Sequence, residues 1–163
     1  MTVQTGIGYD CHPFAEGRRL VLGGVEIPHE RGLAGHSDAD VLSHAITDAL
    51  LGAAALGDIG QHFPDTEERY REANSLELLR SAAELISERG FAVLHVDVTL
   101  LAERPRIAPV REQMRDAVAS AIGTSREHVS IKATRGEGMG FVGREEGAAA
   151  LAVATVERVG STS

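Results

Sequence analysis

The densest cluster of polar side chains comes from two short segments. Asp10-Cys11-His12 is followed further along the chain by His36-Ser37-Asp38-Ala39-Asp40 and by His44. Because side chains alternate on a strand, Asp10 and His12 share one face and Cys11 points away. His44 lies one helical turn beyond Asp40. Two imidazoles and one carboxylate from two elements are the ligand set of an open, catalytic site for a divalent metal, typically Zn²⁺.

The three candidate ligands also have a purely structural interpretation. His12 would then cap the end of a strand, His44 would hydrogen-bond in the core and Asp10 would be exposed, since Asp-x-His pairs are common in unrelated sequences. We expect a buried thiol at Cys11, because a free cysteine behaves as a small apolar side chain. Its use as a fourth metal ligand would require a bulge in the strand.

A second polar cluster occupies residues 57–67, which read Gly-Asp-Ile-Gly-Gln-His-Phe-Pro-Asp-Thr-Glu. Glycine, proline and paired acids directly after a helical pattern predict a surface loop, and such loops concentrate binding residues. Its carboxylates could bind a hydroxylated substrate or a hard cation such as Mg²⁺. The alternative is a solvated acidic loop with no ligand.

A third cluster, residues 132–144, reads Lys-Ala-Thr-Arg-Gly-Glu-Gly-Met-Gly-Phe-Val-Gly-Arg. Backbone amides freed by glycines, together with Thr134 and Arg135 at a strand end, can hold phosphate oxygens. The pattern of a Walker loop is missing. A G-x-G-x-x-G spacing is present without the following helix of a dinucleotide fingerprint. A flexible hairpin connection is the alternative interpretation.

Composition limits the chemistry that these clusters can do. The 163 residues carry 16 basic and 24 acidic side chains, a net charge of −8, and no basic cluster, which argues against nucleic-acid binding. No apolar run reaches the roughly 20 residues of a membrane span. One cysteine excludes an intrachain disulfide, and with no export leader we expect a cytoplasmic protein. Together the clusters predict metal-assisted chemistry on a phosphorylated small molecule.

The elements that position the clusters follow from hydrophobic periodicity. We predict a strand over 3–12, a hairpin of 19–22 and 25–28 across two glycines, and a helix from an N-cap at Ser37 to Gly57. Helices over 75–89 and 109–122 and strands over 91–101, 129–133 and 148–159 follow, the last after a glycine-rich connection. The order predicts one domain over 1–163, an α/β (α+β) sandwich. Its mixed or antiparallel sheet would have about four main strands, helices on one face and a small hairpin.

Five segments of the chain resemble the 2-C-methyl-D-erythritol 2,4-cyclodiphosphate synthase family. They are 8–12 (GYDCH), 32–45 (GLAGHSDADVLSHA), 56–60 (LGDIG), 63–66 (FPDT) and 140–147 (GFVGREEG). The resemblance runs from about Thr2 to about Val159. It implies a phosphorus–oxygen lyase of the non-mevalonate isoprenoid pathway that acts on 4-diphosphocytidyl-2-C-methyl-D-erythritol 2-phosphate. The 2-phosphate attacks the β-phosphorus of the diphosphate, CMP leaves and a cyclodiphosphate forms.

The resemblance also implies roles for single residues. Asp10, His12 and His44 would bind Zn²⁺ or another divalent transition metal, and Glu137 would bind Mg²⁺ or Mn²⁺ together with the diphosphate. The catalytic residues would be His36 and Arg135. The substrate would be held by Asp10, His12, His36 and Ser37 at its phosphates; Asp58, Ile59, Gly60, Phe63, Pro64, Asp65, Thr66 and Glu67 at its methylerythritol part; Ala102, Arg106, Ile107 and Ala108 at its cytosine; and Thr134, Arg135, Gly136, Glu137, Phe141 and Arg144 at its diphosphate and the central cavity.

The chain departs from the family pattern at two places. The usual Lys-Ala-Thr-Thr-Thr-Glu is Lys-Ala-Thr-Arg-Gly-Glu here, so Arg135 stands where the family has a threonine that stabilises the transition state. Its guanidinium can donate a stronger, charge-assisted hydrogen bond, or it can point to solvent and leave Thr134 to serve. Arg106 stands where lysine is common, with the charge kept and the geometry changed.

The family implies a homotrimer with active sites between subunits and, in its central cavity, an isoprenoid diphosphate. Two other functions are compatible with the residues themselves. One is a metal-dependent phosphohydrolase in which water attacks in place of the 2-phosphate. The other is a non-catalytic trimer that binds isoprenoid diphosphates and releases no CMP.

Overall fold

Four main strands and three main helices, together with several shorter elements, make up the fold in this computed structural model, which describes residues 1–159. The strands are β1 (Val3–Glu16), β2 (Leu20–Leu22), β3 (Val25–Ile27), β4 (Arg31–Leu33), β5 (Phe91–Leu101), β6 (Val129–Thr134) and β7 (Gly147–Arg158). The helices are α1 (Val41–Ala53), α2 (Ile59–His62), α3 (Ser75–Glu88), α4 (Arg111–Ile122) and α5 (Gly140–Gly143), with 3₁₀ turns at Glu68–Tyr70 and Arg126–His128.

The strands form a five-stranded mixed sheet in the order β4-β1-β7-β5-β6, and β2 and β3 form a separate hairpin. β1 is antiparallel to β4 and β7, β5 is antiparallel to β7, and β5 runs parallel to β6. The helices lie on one side of the sheet. This confirms the predicted fold class, with four main strands, helices on one face and a small hairpin.

Helix α1 lies directly on the backbone of β1. A Cβ added at Gly6 would be 2.1 Å from the Ala49 oxygen, and one at Gly8 would be 1.9 Å from the Ala45 oxygen. Only glycine permits this approach, because any side chain would push the helix away. The even-numbered residues of β1 therefore face α1, which places Asp10 and His12 opposite His44.

A single apolar cluster fills the space between the helices and the sheet. Fully buried leucines and isoleucines of α1 and α3 pack on alanines of β7. Those alanines occupy alternate positions of the strand, as expected for one buried face. They are Ala148, Ala150, Ala152 and Ala154. Among residues 1–159 no helix is long and apolar enough to cross a membrane.

The predicted start and end of α1 were wrong. The N-cap is Asp40 and not Ser37, and the helix ends at Ala53, before Gly57. Asp40 is fully buried and accepts hydrogen bonds from the amides of Gly23, Gly24 and Ser43 and from the Ser43 hydroxyl. Burial raises the pKa of this carboxyl, while the donated hydrogen bonds favour its charged form. The Asp40 cap also binds the hairpin, whose Gly24 lies 16 residues earlier in the chain. Local residue spacing cannot predict such a contact.

Several smaller elements were missed. β1 continues to Glu16, where β4 pairs with it. The predicted loop at 57–67 contains helix α2, and the glycine-rich connection contains helix α5. These elements have three or four residues each, too few for a periodic hydrophobic pattern. The predicted domain range continues to residue 163, and its last four positions lie outside the described residues.

Candidate active site and metal centre

Three potential metal ligands converge where β1 passes the first turn of α1. Asp10 Oδ2 lies 2.9 Å from His12 Nε2 and 3.1 Å from His44 Nδ1, and the two nitrogens are 3.4 Å apart. Among the described residues, these are the only three His, Cys, Asp or Glu side chains whose ligand atoms cluster closely enough to hold a metal ion. All three are partly buried, so the structural alternative that leaves Asp10 exposed was wrong.

The partners of the two imidazoles fix which nitrogen is free. His12 Nδ1 lies 2.9 Å from the Ala34 carbonyl oxygen, so this nitrogen carries the hydrogen and Nε2 has a free lone pair. His44 Nε2 lies 2.7 Å from the Ser75 hydroxyl, which itself donates to Asp38. Nε2 of His44 must therefore donate, and Nδ1 has the free lone pair. Two lone pairs and a carboxylate oxygen face one another.

Such a donor set fits a divalent metal ion. Ligand atoms around a tetrahedral zinc ion, with bonds of about 2.0–2.1 Å, lie roughly 3.3 Å apart, close to the three distances found here. The hydrogen bonds from the far nitrogens to a carbonyl and to a Ser–Asp pair are the outer contacts that orient metal-bound histidines. With three protein ligands the site would keep a position open for a substrate oxygen.

The ionisation of the cluster agrees with this interpretation. Burial by itself raises the pKa of Asp10, but when the metal-free imidazoles are protonated, hydrogen bonds and positive charge from His12 and His44 outweigh it, so the pKa lies below its usual value. Burial by itself lowers the pKa of His12, but the hydrogen bond and charge of Asp10 reverse the sign and raise that pKa. Both directions arise from the pairing of the Asp10 carboxylate with the imidazoles, which favours a positive charge beside that carboxylate.

His36 and Ser37 lie in the segment that precedes α1. His36 Nε2 is 3.0 Å from the Glu67 carbonyl oxygen, which joins this segment to the predicted substrate segment 63–67. Ser37 Oγ is 3.1 Å from His44 Nε2 and accepts a hydrogen bond from the Ala39 amide. The structure thus brings Ser37 into contact with His44, and it joins the neighbouring His36 to Glu67.

Asp58, Ile59 and Gly60 form the start of α2. The Asp58 carboxylate accepts from the Gln61 amide and the Gln61 side chain returns to the Asp58 amide, so Asp58 is the cap of this short helix. The Ile59 amide donates to Asp48 of α1 at 2.9 Å. Asp58, Gly60, Asp65 and Thr66 are exposed, and Phe63 and Pro64 are half-buried. Segments 58–60 and 63–66 thus form a solvent-accessible surface that a substrate can contact.

The predicted cytosine segment and the strand end at Thr134 line one cavity. It has a volume of about 220 Å³. Ala102, Ile107 and Ala133 contribute apolar walls, and Arg106, Thr134 and Arg135 contribute polar groups. Ala102 also donates its amide to the Thr134 carbonyl at 3.1 Å. Two segments that are distant in the sequence therefore meet at this cavity.

Glu137, Phe141 and Arg144 lie in the connection after β6. Glu137 is exposed, and Arg144 pairs with Glu146 at 3.3 Å. Phe141 lines a second cavity, of about 180 Å³, together with Cys11 and His12. Cys11 is exposed in the chain, so the expectation of a buried thiol was wrong. Its strand face lies away from α1, where no helix covers it.

Sequence reasoning missed four residues around these sites. Ser75 and Asp38 orient His44, yet the pattern marked Ser75 only as the start of a helix. Glu103 accepts the Gly136 amide at 2.5 Å, and Arg111 lines the 220 Å³ cavity with a buried Nε that has no hydrogen-bond partner within the described chain. All four depend on contacts between distant segments; Asp38 stands in the polar cluster around His36, but nothing in the sequence marks its contact with Ser75.

A family model for the YgbB family matches residues 3–157. A 2-C-methyl-D-erythritol 2,4-cyclodiphosphate synthase of Syntrophomonas wolfei subsp. wolfei (strain DSM 2245B / Goettingen) is 56% identical over 156 residues, 96% of this chain and 99% of the relative. The bifunctional IspDF of Campylobacter jejuni superposes with a TM-score of 0.93 at 41% identity, over 96% of this chain and 42% of that one. A 2C-methyl-D-erythritol-2,4-cyclodiphosphate synthase in a CDP-bound form gives 0.87 at 36% identity, over 94% of this chain and 100% of that one.

The fold and its Asp-His-His cluster define an α/β enzyme with a candidate metal centre, and the chain belongs to the YgbB family. Its high-identity relatives are 2-C-methyl-D-erythritol 2,4-cyclodiphosphate synthases, lyases of isoprenoid biosynthesis. The resemblance inferred from the five motifs is confirmed.

Proposed function

We propose that this chain converts 4-diphosphocytidyl-2-C-methyl-D-erythritol 2-phosphate into 2-C-methyl-D-erythritol 2,4-cyclodiphosphate and CMP. The observation that carries this proposal is the convergence of Asp10 Oδ2, His12 Nε2 and His44 Nδ1 within 3.4 Å of one another. A Zn²⁺ or similar ion held by these atoms polarises phosphate oxygens when bound. Phosphoryl transfer needs mainly positioning and charge stabilisation, which this arrangement can supply.

The chain's own residues position the two phosphorus centres. His36 is fixed by its hydrogen bond to the Glu67 carbonyl and would donate to the charge that develops on the transferred phosphoryl group. Asp58, Gly60 and residues 63–67 would hold the methylerythritol hydroxyls. Thr134 and Arg135 would donate to the diphosphate oxygens at the other side of the reacting group.

The distance between the two halves of the site supports active sites formed between subunits, as in the homotrimer that the family resemblance implies. Asp10 pairs with Ala150, Ala150 with Leu100, and Leu100 with Ala133, next to Thr134. Three strand spacings of roughly 4.8 Å separate the ends of this row by about 14 Å. One chain cannot contact the same diphosphate with both ends, whereas a neighbouring subunit can bring its own Thr134 to the metal cluster.

The uncovered face of the sheet also supports an oligomer. Ile7, Tyr9, Leu151 and Val153 are exposed large apolar side chains on β1 and β7, and they lie opposite one another in register. An exposed apolar patch of this kind marks an interaction surface. We propose that the face packs around the trimer axis, with the Phe141 cavity at the centre and an isoprenoid diphosphate as its ligand.

We propose the 220 Å³ cavity as the cytosine pocket. Its apolar walls suit a planar base, and Arg106 lies at its rim. A relative with 36% identity has been solved in a CDP-bound form, which supports the same nucleotide for this chain.

Glu137 would hold Mg²⁺ or Mn²⁺ jointly with the diphosphate, since Mg²⁺ is often bound by one carboxylate and substrate phosphates. We place this single-domain enzyme in the cytoplasm, with its unpaired Cys11 reduced.

The assignment is tested by CMP release from the zinc-loaded protein with the diphosphocytidyl substrate and Mg²⁺. His44→Ala should abolish both zinc binding and CMP release, because one of three ligands is lost. His95→Ala, an exposed histidine on β5, is the matched control and should retain both. Zinc binding that survives in His44→Ala would contradict the metal site. CMP formed together with a linear bisphosphate in place of the cyclic diphosphate, or release of inorganic phosphate, would identify a phosphohydrolase.

A further inference from the structure

Arg135 lies between two carboxylates at the mouth of the 220 Å³ cavity. Its Nε is 3.9 Å from Glu103 Oε2 and its Nη2 is 3.6 Å from Glu137 Oε2. Both distances exceed a hydrogen bond, and the side chain is 56% exposed, so these ion pairs are weak. The guanidinium is free to exchange either carboxylate for a phosphate.

The two carboxylates differ in burial and in how firmly their contacts hold them. Glu103 is only 15% exposed and accepts the Gly136 amide at 2.5 Å, so it is held at the end of β6. Glu137 is 70% exposed, and Arg135 is its nearest cation. Within the described chain Glu137 belongs to no group of three potential metal ligands. A divalent ion there would have one protein ligand, already partly neutralised by Arg135.

The backbone after Arg135 is fixed by a close approach. A Cβ at Gly136 would lie 2.4 Å from the Gly143 amide nitrogen, so the connection folds tightly onto itself at this point. The Met139 amide donates to the Gly136 carbonyl and the Gly143 amide to the Met139 carbonyl, both at 2.9 Å. Arg135 therefore projects from a rigid strand end, beside a fixed carboxylate, towards the cavity that would hold the nucleotide.

We propose that Arg135 supplies most of the positive charge needed at the diphosphate subsite, so that a divalent cation at Glu137 adds little and the chain binds a nucleoside diphosphate with little dependence on Mg²⁺. The inference rests on the proposed function, because it takes the cavity to be the nucleotide site. Arginine is suited to the task, since its planar fork offers parallel N–H donors to phosphate oxygens and stays charged at all relevant pH values.

The test measures binding of CDP by calorimetry to the zinc-loaded protein, with and without millimolar Mg²⁺. The unaltered protein should bind CDP with nearly the same affinity in both buffers. Arg135→Thr should lose about 10- to 100-fold in affinity without Mg²⁺, the range for a hydrogen bond to a charged group, and regain most of it when Mg²⁺ is added. Arg135→Lys, which keeps the charge without the fork, should lie between the two.

Arg126→Thr is the matched control, because it removes one cation from an ion pair with Asp116 on the surface of α4. Its Mg²⁺ dependence should equal that of the unaltered protein. Equal Mg²⁺ dependence in Arg135→Thr and the unaltered protein would overturn the proposal, as would no CDP binding under any condition. Mg²⁺-independent CDP binding without CMP release from the substrate would refute the synthase function and leave the role of Arg135 standing.

Discussion

At the scale of single residues, the candidate metal centre depends on side chains outside the set of three potential ligands. Ser75 accepts from His44 Nε2 and donates to Asp38, which fixes the tautomer and the plane of the imidazole. Ser75 is fully buried at the first turn of α3. The spacing predicted that Asp10, His12 and His44 lie together, but Ser75, which contacts His44, lies 31 positions away from it.

Removal of this contact should weaken the metal site without destroying it. We expect Ser75→Ala to lower zinc affinity about 10- to 100-fold, the usual effect of losing an outer partner of a ligand. The measurement is competition with a chromogenic chelator. Ser81→Ala, on the exposed side of the same helix, should leave the affinity unchanged. An unaltered zinc affinity in Ser75→Ala would mean that Ser75 does not orient His44.

Proton competition should give zinc binding a characteristic pH dependence. In the metal-free protein the raised pKa of His12 stabilises the fold below its unfolded value of about 6.5, and this contribution is lost as the pH rises through the folded value. The lowered pKa of Asp10 stabilises the fold above its unfolded value of about 3.9. This contribution is lost as the pH falls through the pKa of Asp10 in the folded protein. Zinc must displace the His12 proton.

Zinc affinity should therefore rise about tenfold per pH unit until the raised pKa of His12 is passed, and then level off. Chelator competition from about pH 6 to pH 8, corrected for protonation of the chelator, measures this. The melting temperature of the metal-free protein should move in the opposite direction over the same interval. A zinc affinity that does not change with pH would show that His12 is unprotonated or is not a ligand.

At the scale of elements, the contact between α1 and β1 sets the geometry of the site. Asp10 and His12 are carried by the strand and His44 by the helix, and Gly8 allows the two backbones to touch. Gly8→Ala should displace α1, since its Cβ would lie 1.9 Å from the Ala45 oxygen. We expect loss of more than about 2 kcal/mol of stability and a large loss of zinc affinity, because the overpacked site cannot relax.

Gly52→Ala is the control for this prediction. A Cβ at Gly52, in the same helix, meets its nearest atom at 3.9 Å and is not strained. It should stabilise the protein by roughly 0.5–1 kcal/mol, as alanine does in a helix interior. Urea unfolding and zinc competition measure both variants. A Gly8→Ala protein with ordinary stability and zinc affinity would refute the role given to this close contact.

The elements also show what a single sequence can and cannot reveal. Leu42, Ile46 and Leu50 repeat with a helical period, so α1 was predictable, as were the long alternating strands. The cap at Asp40 was not, because its partners Gly23 and Gly24 belong to the hairpin. The cluster of Asp10, His12 and His44 was predictable because Asp10 and His12 share a strand face. The cavity that joins Ala102 to Thr134 required the parallel pairing of β5 with β6.

At the scale of the whole molecule, zinc binding and turnover should be separable. The triad lies within one chain, whereas the proposed diphosphate subsite is contributed by a neighbour. Val153 is 40% exposed at the centre of the uncovered sheet face and pairs with Ile7. We expect Val153→Arg to dissociate the proposed trimer, because it would bury an unpaired charge in an apolar interface.

The dissociated variant should keep its zinc affinity and lose nearly all CMP release. Light scattering gives the mass, and the two assays give the functions. Ser120→Arg, which adds the same charge on exposed α4, should remain trimeric and active. A Val153→Arg monomer with full activity would place the complete site within one chain. Loss of zinc binding when the trimer dissociates would contradict the proposal that the zinc ligands all belong to one chain.

The central claim is that the clustered ligands and the cavity serve one cyclisation. Phosphorus NMR of the zinc-loaded protein with the diphosphocytidyl substrate and Mg²⁺ tests it most directly. We predict that CMP and a cyclic diphosphate appear in equal amounts, and that neither forms with His44→Ala. Release of inorganic phosphate, formation of a linear product, or substrate that remains intact in the presence of protein and both metals would contradict the claim.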